Sequence, residues 1–157
     1  MLLKVSICAM VYLSFGIASE GPRDVNICDL TRLADQLDSK LVRVRGILRN
    51  SETAAEPFFD ELVPENCSDA EGRGMVIRIV SPDVHFLANP PHGYKPDMSS
   101  IRRAEPLFKN AAARGRPVTV TVEGVFYSAR PQRSAPLRHK QYRGSIVLQA
   151  VRAVKER

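Results

Sequence analysis

The sequence predicts a mainly β fold with helices, in which five short strands form a barrel (β-β-β-α-β-β) after an N-terminal helix. Several segments alternate apolar and polar residues, as strands with one buried face do. Two of them, residues 42–46 and 120–124, repeat a Val-x-Val-x-Gly pattern. With 157 residues, of which 44% are hydrophobic and 25% charged, the chain has the composition of a globular protein rather than a disordered one.

The N-terminal segment is typical of an export signal. Lys4 precedes an apolar run over residues 5–17, and small residues lead to a cleavage site after Ala18. This run is too short to cross a bilayer as a helix. We therefore expect residues 1–18 to be removed and residues 19–157 to form one periplasmic or secreted domain. The alternative is a buried N-terminal helix.

Two cysteines, Cys28 and Cys67, follow this segment. In an exported chain an even pair most simply forms a disulfide, which would stabilise the fold by roughly 3–4 kcal/mol. Two buried thiols or half of a metal site are the alternatives. Zinc usually needs four closely spaced ligands. Here no Cys-x-x-Cys occurs, and the three histidines are scattered: His85, His92 and His139. We therefore expect no metal and no cofactor.

The elements follow from periodicity. Apolar residues spaced three to four apart predict the N-terminal helix over residues 24–39. Alternation or apolar runs predict strands at residues 41–48, 58–63, 75–80, 118–126 and 145–154. Gly46 and Gly124 interrupt the first and fourth of these strands, which indicates a bulge or a sharp bend at each.

A second helix is expected between Ser99 and Arg114, after an irregular, proline-rich connection over residues 81–100. Proline inside a helix removes a hydrogen bond. Pro106 therefore predicts that this helix starts near Glu105, or else that it kinks at the proline.

Five short strands with a helix between the third and fourth, and glycines in the first and fourth, resemble the OB-fold, a partly open five-stranded barrel. The sequence is similar in this respect to small secreted or periplasmic bacterial proteins of that fold. A barrel so small must curl tightly, and its longest strands need residues that tolerate a bulge. The runner-up is another α+β topology with helices on an antiparallel sheet.

Charge is segregated along the chain. Residues 50–72 hold seven acidic side chains and no Lys or Arg, whereas residues 130–143 hold only basic ones. In an OB-fold these stretches join strands one to two and four to five, and the corresponding loops flank the usual binding face. Guanidinium groups can bind anions bidentately, and tyrosines can stack on a base or sugar. We therefore predict an anion-binding surface formed by basic and tyrosine side chains. Its residues are Arg43, Arg45, Tyr127, Arg130, Arg133, Arg138, Lys140, Tyr142 and Arg143. The alternative is that both loops are simply solvated and screen one another.

Catalysis is not expected. Secreted thermonucleases have the OB-fold, but their Asp-Gly-Asp turn is missing here. Residues 78–83 resemble their Arg-x-Leu stretch only weakly. No Gly-x-Ser-x-Gly elbow is present. We therefore expect a non-enzymatic binding or interaction module of the cell envelope, with an anionic ligand or an envelope protein as its partner. For an exported chain, we do not expect chromosomal nucleic acid as a partner. The alternative is a structural protein that self-associates, or docks a partner, through its acidic and basic loops.

Overall fold

The segments that alternate in the sequence form one sheet that closes on itself. The structure is a computed structural model that describes residues 21–49, 61–67, 75–83, 87, 89–128 and 142–156. Its strands are β1 (Arg23–Asn26), β2 (Lys40–Arg49), β3 (Glu61–Val63), β4 (Ile77–Val80), β5 (Val118–Ser128) and β6 (Gly144–Glu156). Its helices are α1 (Ile27–Arg32), α2 (Ala34–Leu37) and α3 (Met98–Ala113).

The strand order is β1-β2-β3-β4-β6-β5, and an additional β2–β5 pairing closes the last five strands into a barrel. Within the barrel β4 and β6 run parallel and the other neighbours run antiparallel. The predicted mainly β barrel, with a helix between its third and fourth strands, is therefore confirmed. This closed mixed barrel is consistent with an OB-like fold.

The valine ladders line the interior of the barrel. Val42 and Val44 of β2 are buried, as are Val120 and Val122 of β5, and they pack with side chains from the other strands and from the helices. Burial of each such side chain contributes about 1.5–3 kcal/mol relative to exposure. The residues between them, among them Arg43, point to the outer surface, as the period of two requires.

Gly46 marks the point where β2 changes its edge partner. Before it, residues 42–45 pair with β1 in parallel; after it, residues 47–49 pair with β3. Pairing with β5 continues through Gly46 without a shift, so the glycine is not at a bulge. It is needed because a Cβ there would clash with the side chains of Ile27 and Leu62 and with the Val63 carbonyl.

The bulges lie where β6 pairs with β5. Two register shifts occur there, between Thr121 and Val122 and between Glu123 and Gly124. Each leaves one residue of β6, Arg152 or Gln149, without a partner in the ladder. The expectation of a bulge near the second glycine is thus confirmed, with the extra residues on the facing strand.

The single helix predicted over residues 24–39 is wrong in its first part. Residues 23–26 form β1, because they add to the edge of β2. Asn26 then caps α1, since its side-chain oxygen accepts a hydrogen bond of 3.0 Å from the Cys28 amide. Leu33 separates α1 from α2, and Ser39, at φ 60°, ends the helical segment.

Helix α3 begins earlier than predicted. Asp97, immediately before it, accepts a hydrogen bond of 3.0 Å from the Ser100 amide, as an N-cap does. The helix runs through Pro106 to Ala113, so the start expected near Glu105 is wrong. Pro106 has no amide hydrogen to donate to the carbonyl of Arg102. Both residues lie on the exposed side of the helix, where water can donate to that carbonyl instead. The opposite side packs into the core through Ala104, Phe108 and Ala111.

Cys28 and Cys67 form the predicted disulfide, with Cα atoms 6.3 Å apart and a sequence separation of 39. It ties α1 to the residues that follow β3. A small disulfide-bonded domain fits an exported protein. Within the described ranges no helix has the length and apolarity needed to cross a membrane. The export signal predicted for residues 1–18 lies outside the described residues.

Candidate functional site

One row of side chains crosses the outer surface of the barrel. Five residues are joined by successive register pairs, one on each strand of the barrel. In order from β2 through β3, β4 and β6 to β5 they are Arg49, Glu61, Arg78, Ser145 and Tyr127. Directly paired residues project from the same side of a sheet. At about 4.8 Å between strands, this cross-strand row is about 19 Å long.

Both charged connections of the chain end beside this row. The β2–β3 connection returns at Glu61, and the β5–β6 connection returns at Tyr142. The Tyr142 hydroxyl donates a hydrogen bond of 3.3 Å to Glu61 Oε1. Next to it, the Arg143 amide donates to the Val76 carbonyl at 2.9 Å. The start of β6 is thereby fixed against β3 and β4, with Arg143 next to the row.

Among the described residues, the cross-strand row itself carries more positive than negative charge. Arg49 and Arg78 lie on either side of Glu61, which is only 3% exposed. Arg49 and Arg78 are exposed, and among the residues that the structure describes neither takes part in an ion pair. A buried carboxylate between two arginines lowers their mutual repulsion while leaving their outer edges accessible.

A different part of the outer surface holds a charge chain, which we define as Asp24, Arg43, Glu123, Arg152 and Asp97. Glu123 is 1% exposed and accepts from both arginines, with Arg43 Nη2 2.7 Å from its Oε1 and Arg152 Nη2 2.7 Å from its Oε2. Asp24 lies 3.3 Å from Arg43, and Asp97 lies 4.0 Å from Arg152. The charge chain thus joins β1 and the start of α3 to the barrel.

Three acids against two arginines leave the charge chain without spare positive charge. Burial alone would raise the pKa of Glu123, but hydrogen bonds and charges from Arg152 and Arg43 outweigh it, so its pKa is lowered from the ordinary value of 4.5. The same contacts raise the pKa of both guanidinium groups. Arg43 thus has two acidic partners within the fold, Glu123 and Asp24.

Arg45 lies beside a shallow groove at the edge of the charge chain. Cavities of about 340 and 400 Å³ adjoin it, lined by β1, the start of α1 and residues 64–66. Arg45 Nε lies 3.9 Å from Glu65 Oε1. The same oxygen accepts a hydrogen bond of 3.1 Å from the Thr119 hydroxyl. Arg45 therefore has an acidic partner within the groove.

The predicted site residues divide among these places. Tyr127 belongs to the cross-strand row, and Tyr142 and Arg143 border it. Arg43 and Arg45 lie before Gly46 on β2, away from Arg49, and they face the charge chain and the groove. The remaining four predicted residues lie outside the described ones: Arg130, Arg133, Arg138 and Lys140.

Tyr127 is half-buried at its end of the row. It packs against an outer apolar cluster that includes Leu41, Val125 and Val147. Burial, and secondarily the charge of Asp38, raises the pKa of its hydroxyl above 10.0. The ring is thus held in one place and keeps its proton at neutral pH.

Sequence reasoning missed Arg49 and Arg78 as site residues. Each had a signal: Arg49 continues the basic side of β2, and Arg78 is the single charged residue in an otherwise apolar stretch over residues 75–80. Their convergence depends on the register of β3, which the short segment of three residues does not reveal.

Comparison with protein-family models, curated proteins and solved structures finds no match to this chain. In the described part of the chain, no three His, Cys, Asp or Glu side chains come together in a way that could hold a metal ion.

Proposed function

We propose that this chain is an exported, non-enzymatic binding module of the cell envelope that holds an anionic ligand along the cross-strand row. The observation that carries the proposal is the continuous register from Arg49 through Arg78 to Tyr127, with Glu61 fixed by Tyr142. It places exposed guanidinium groups and one half-buried aromatic ring on the same side of the barrel.

Assignment of the barrel to the OB-fold superfamily is part of this proposal. In OB-folds the ligand lies on strands two and three between the loops that join strands one to two and four to five. Those strands correspond here to β3 and β4, and those loops to the acidic and basic connections. The cross-strand row passes over β3 and β4, which supports the same placement of a ligand.

The chemistry of the row favours an extended anion, such as a phosphodiester or a sulfated polysaccharide. Arg49 and Arg78 can each donate two hydrogen bonds to a phosphate or sulfate group. They flank Glu61 on neighbouring strands, so two anionic groups of one ligand could be held at once. Tyr127 offers a ring for contact with a base or sugar.

A polyanion titration tests the proposal. Fluorescence anisotropy of labelled heparin fragments and single-stranded oligonucleotides should show binding to the monomer that weakens as salt rises. Loss of a charge-assisted contact costs about 1.5–3 kcal/mol, so Arg78→Glu should weaken binding by at least about tenfold. Arg23→Glu, on exposed β1, makes the same charge change away from the row and is the matched control.

Two results would contradict the proposal. If Arg23→Glu weakens binding as much as Arg78→Glu does, net charge rather than the row is responsible. If the protein binds neither probe and instead forms oligomers that dissociate in high salt, it self-associates through its charged loops. The double variant Arg133→Glu, Arg138→Glu then shows whether the basic connection contributes to either behaviour.

A further inference from the structure

Helix α3 presents a basic surface on its exposed side. Buried Ala104, Phe108 and Ala111 fix one side of the helix against the core. The exposed residues on the other sides, together with those just after the helix, include five that are basic: Arg102, Arg103, Lys109, Arg114 and Arg116. The only acid in the helix is Glu105, which lies 3.6 Å from Lys109.

An exposed leucine lies within this basic surface. Leu107 is 46% exposed and is the only large hydrophobic residue exposed to this degree in the described part of the chain. It follows Arg103 by four positions, so the two share one side of the helix. Exposed Pro106 lies next to it in sequence.

From these observations we propose that α3 docks the protein flat on an anionic lipid bilayer, with Leu107 entering the headgroup region. An exposed basic surface with one protruding apolar side chain combines two interactions that hold a protein at an anionic membrane, namely attraction to the headgroups and burial of apolar area. Each Lys or Arg near an anionic membrane surface adds to the attraction. A nucleic acid would match the charge but would leave Leu107 without a role.

Helix α3 is already folded and capped in the free protein. It has 16 residues and is therefore about 24 Å long. Asp97 caps its start, and the Asp97 amide donates at 2.7 Å to the Gln149 carbonyl of β6. Docking consequently requires no folding of the helix, unlike the binding of disordered basic peptides. Arg102, Arg103 and Leu107 are not members of the cross-strand row, so variants on each surface test the two proposals separately.

Co-sedimentation with vesicles tests this docking. The protein should bind vesicles made of equal parts phosphatidylcholine and phosphatidylglycerol at low salt, and should not bind phosphatidylcholine alone. The double variant Arg102→Glu, Arg103→Glu should lose at least about thirtyfold in affinity, which is the loss of two basic contributions. Leu107→Ser, which keeps the charge, should weaken binding several-fold.

The matched control is Arg49→Glu, Arg78→Glu, which makes an equal charge change on the cross-strand row. It should keep vesicle binding, whereas the Arg102, Arg103 double variant should keep binding to heparin. Circular dichroism and thermal unfolding of each variant establish that it is folded; should the charge reversal unfold, Arg102→Gln, Arg103→Gln replaces it.

Several outcomes would overturn the docking proposal. They are equal binding to both kinds of vesicle, equal losses in the two double variants, and no effect of Leu107→Ser. A loss of oligonucleotide binding instead of vesicle binding in the Arg102, Arg103 variant would assign α3 to nucleic acid and would also overturn it.

Discussion

Arg152 reaches the buried carboxylate of Glu123 from a β-bulge. It is the extra residue of β6 between the Thr121–Ala153 and Val122–Val151 pairs, and its Nη2 lies 2.7 Å from Glu123 Oε2. A bulge turns a side chain away from the regular alternation of a strand. Here it brings a second arginine to a carboxylate that Arg43 alone would satisfy only in part.

Glu123→Gln should lower the free energy of unfolding at neutral pH by about 2–3 kcal/mol, because it removes charge from two strong hydrogen bonds. The pKa of Glu123 is lowered in the folded protein. Its contribution to stability is therefore fully present above the ordinary value of 4.5 and is lost as pH falls through the lower, folded value. The difference between the two proteins should accordingly shrink in acid, as urea unfolding at stepwise lower pH can measure.

The exposed Asp35 of α2 provides a control for this titration, since Asp35→Asn changes an equivalent charge outside the charge chain. Its unfolding curves should follow those of the wild type. A constant difference between Glu123→Gln and the wild type across the acid range would show that the carboxylate is not stabilised by its two arginines.

Gly46→Ala should destabilise the barrel by about 1–3 kcal/mol, the usual cost of overpacking. A Cβ at this position would meet the Val63 carbonyl as well as side chains of Ile27 and Leu62, and the backbone atom cannot move aside without disturbing β3. Gly21→Ala is the control, because nothing lies within 4 Å of a Cβ there. Similar midpoints of denaturation for the two variants would contradict the packing argument.

Reduction of Cys28–Cys67 should lower the free energy of unfolding by about 3–4 kcal/mol, since the link restricts the unfolded chain. Denaturant unfolding with and without reductant measures the loss, and the mass of the intact oxidised protein should be lower by two hydrogens. The double variant Cys28→Ser, Cys67→Ser should unfold identically under both conditions. Two free thiols in the untreated, folded protein would refute the disulfide.

Asp38→Asn should lower the pKa of Tyr127 toward 10.0 and destabilise the end of β5. Asp38 Oδ1 accepts from the Ser128 amide at 2.8 Å and from its hydroxyl at 3.1 Å. Its charge also raises the pKa of Tyr127, although less than burial does. Ser128→Ala removes only the hydroxyl bond and should leave that pKa unchanged. Alkaline titration of tyrosine absorbance, with Tyr127→Phe to assign the signal, distinguishes these effects.

Periodicity predicted the alternation of β2 and β5 and their buried valines, whereas residues 58–60 of the second predicted strand lie outside the described residues. The alternating valines are buried as predicted: Val42, Val44, Val120 and Val122. With a period of two they share one face of their strand, and the strand is stable only when that apolar face is turned to the core. Periodicity was insufficient at β1. Residues 24–39 have helical spacing, yet an extended segment there gains hydrogen bonds from the edge of β2, a gain that depends on tertiary structure.

The candidate site was only partly predictable. Charge segregation singled out Tyr142 and the acidic stretch that contains Glu61, and a hydrogen bond joins these two residues, whereas the binding role of Tyr142 stays a prediction. Arg43 and Arg49 both lie on the basic side of β2 and look alike in the sequence. What separates them is Glu123, 80 residues from Arg43, and the change of partner strand at Gly46.

The short strand β1 has a protective effect on the barrel. Without it, residues 42–45 of β2 would expose a row of unpaired amides and carbonyls, the kind of template on which chains aggregate. β1 covers that template with four residues, including the charged Arg23 and Asp24. Because Cys28 follows β1 by only two residues, the oxidised disulfide also secures this cover, and a reducing environment should favour edge-to-edge association between copies of the chain.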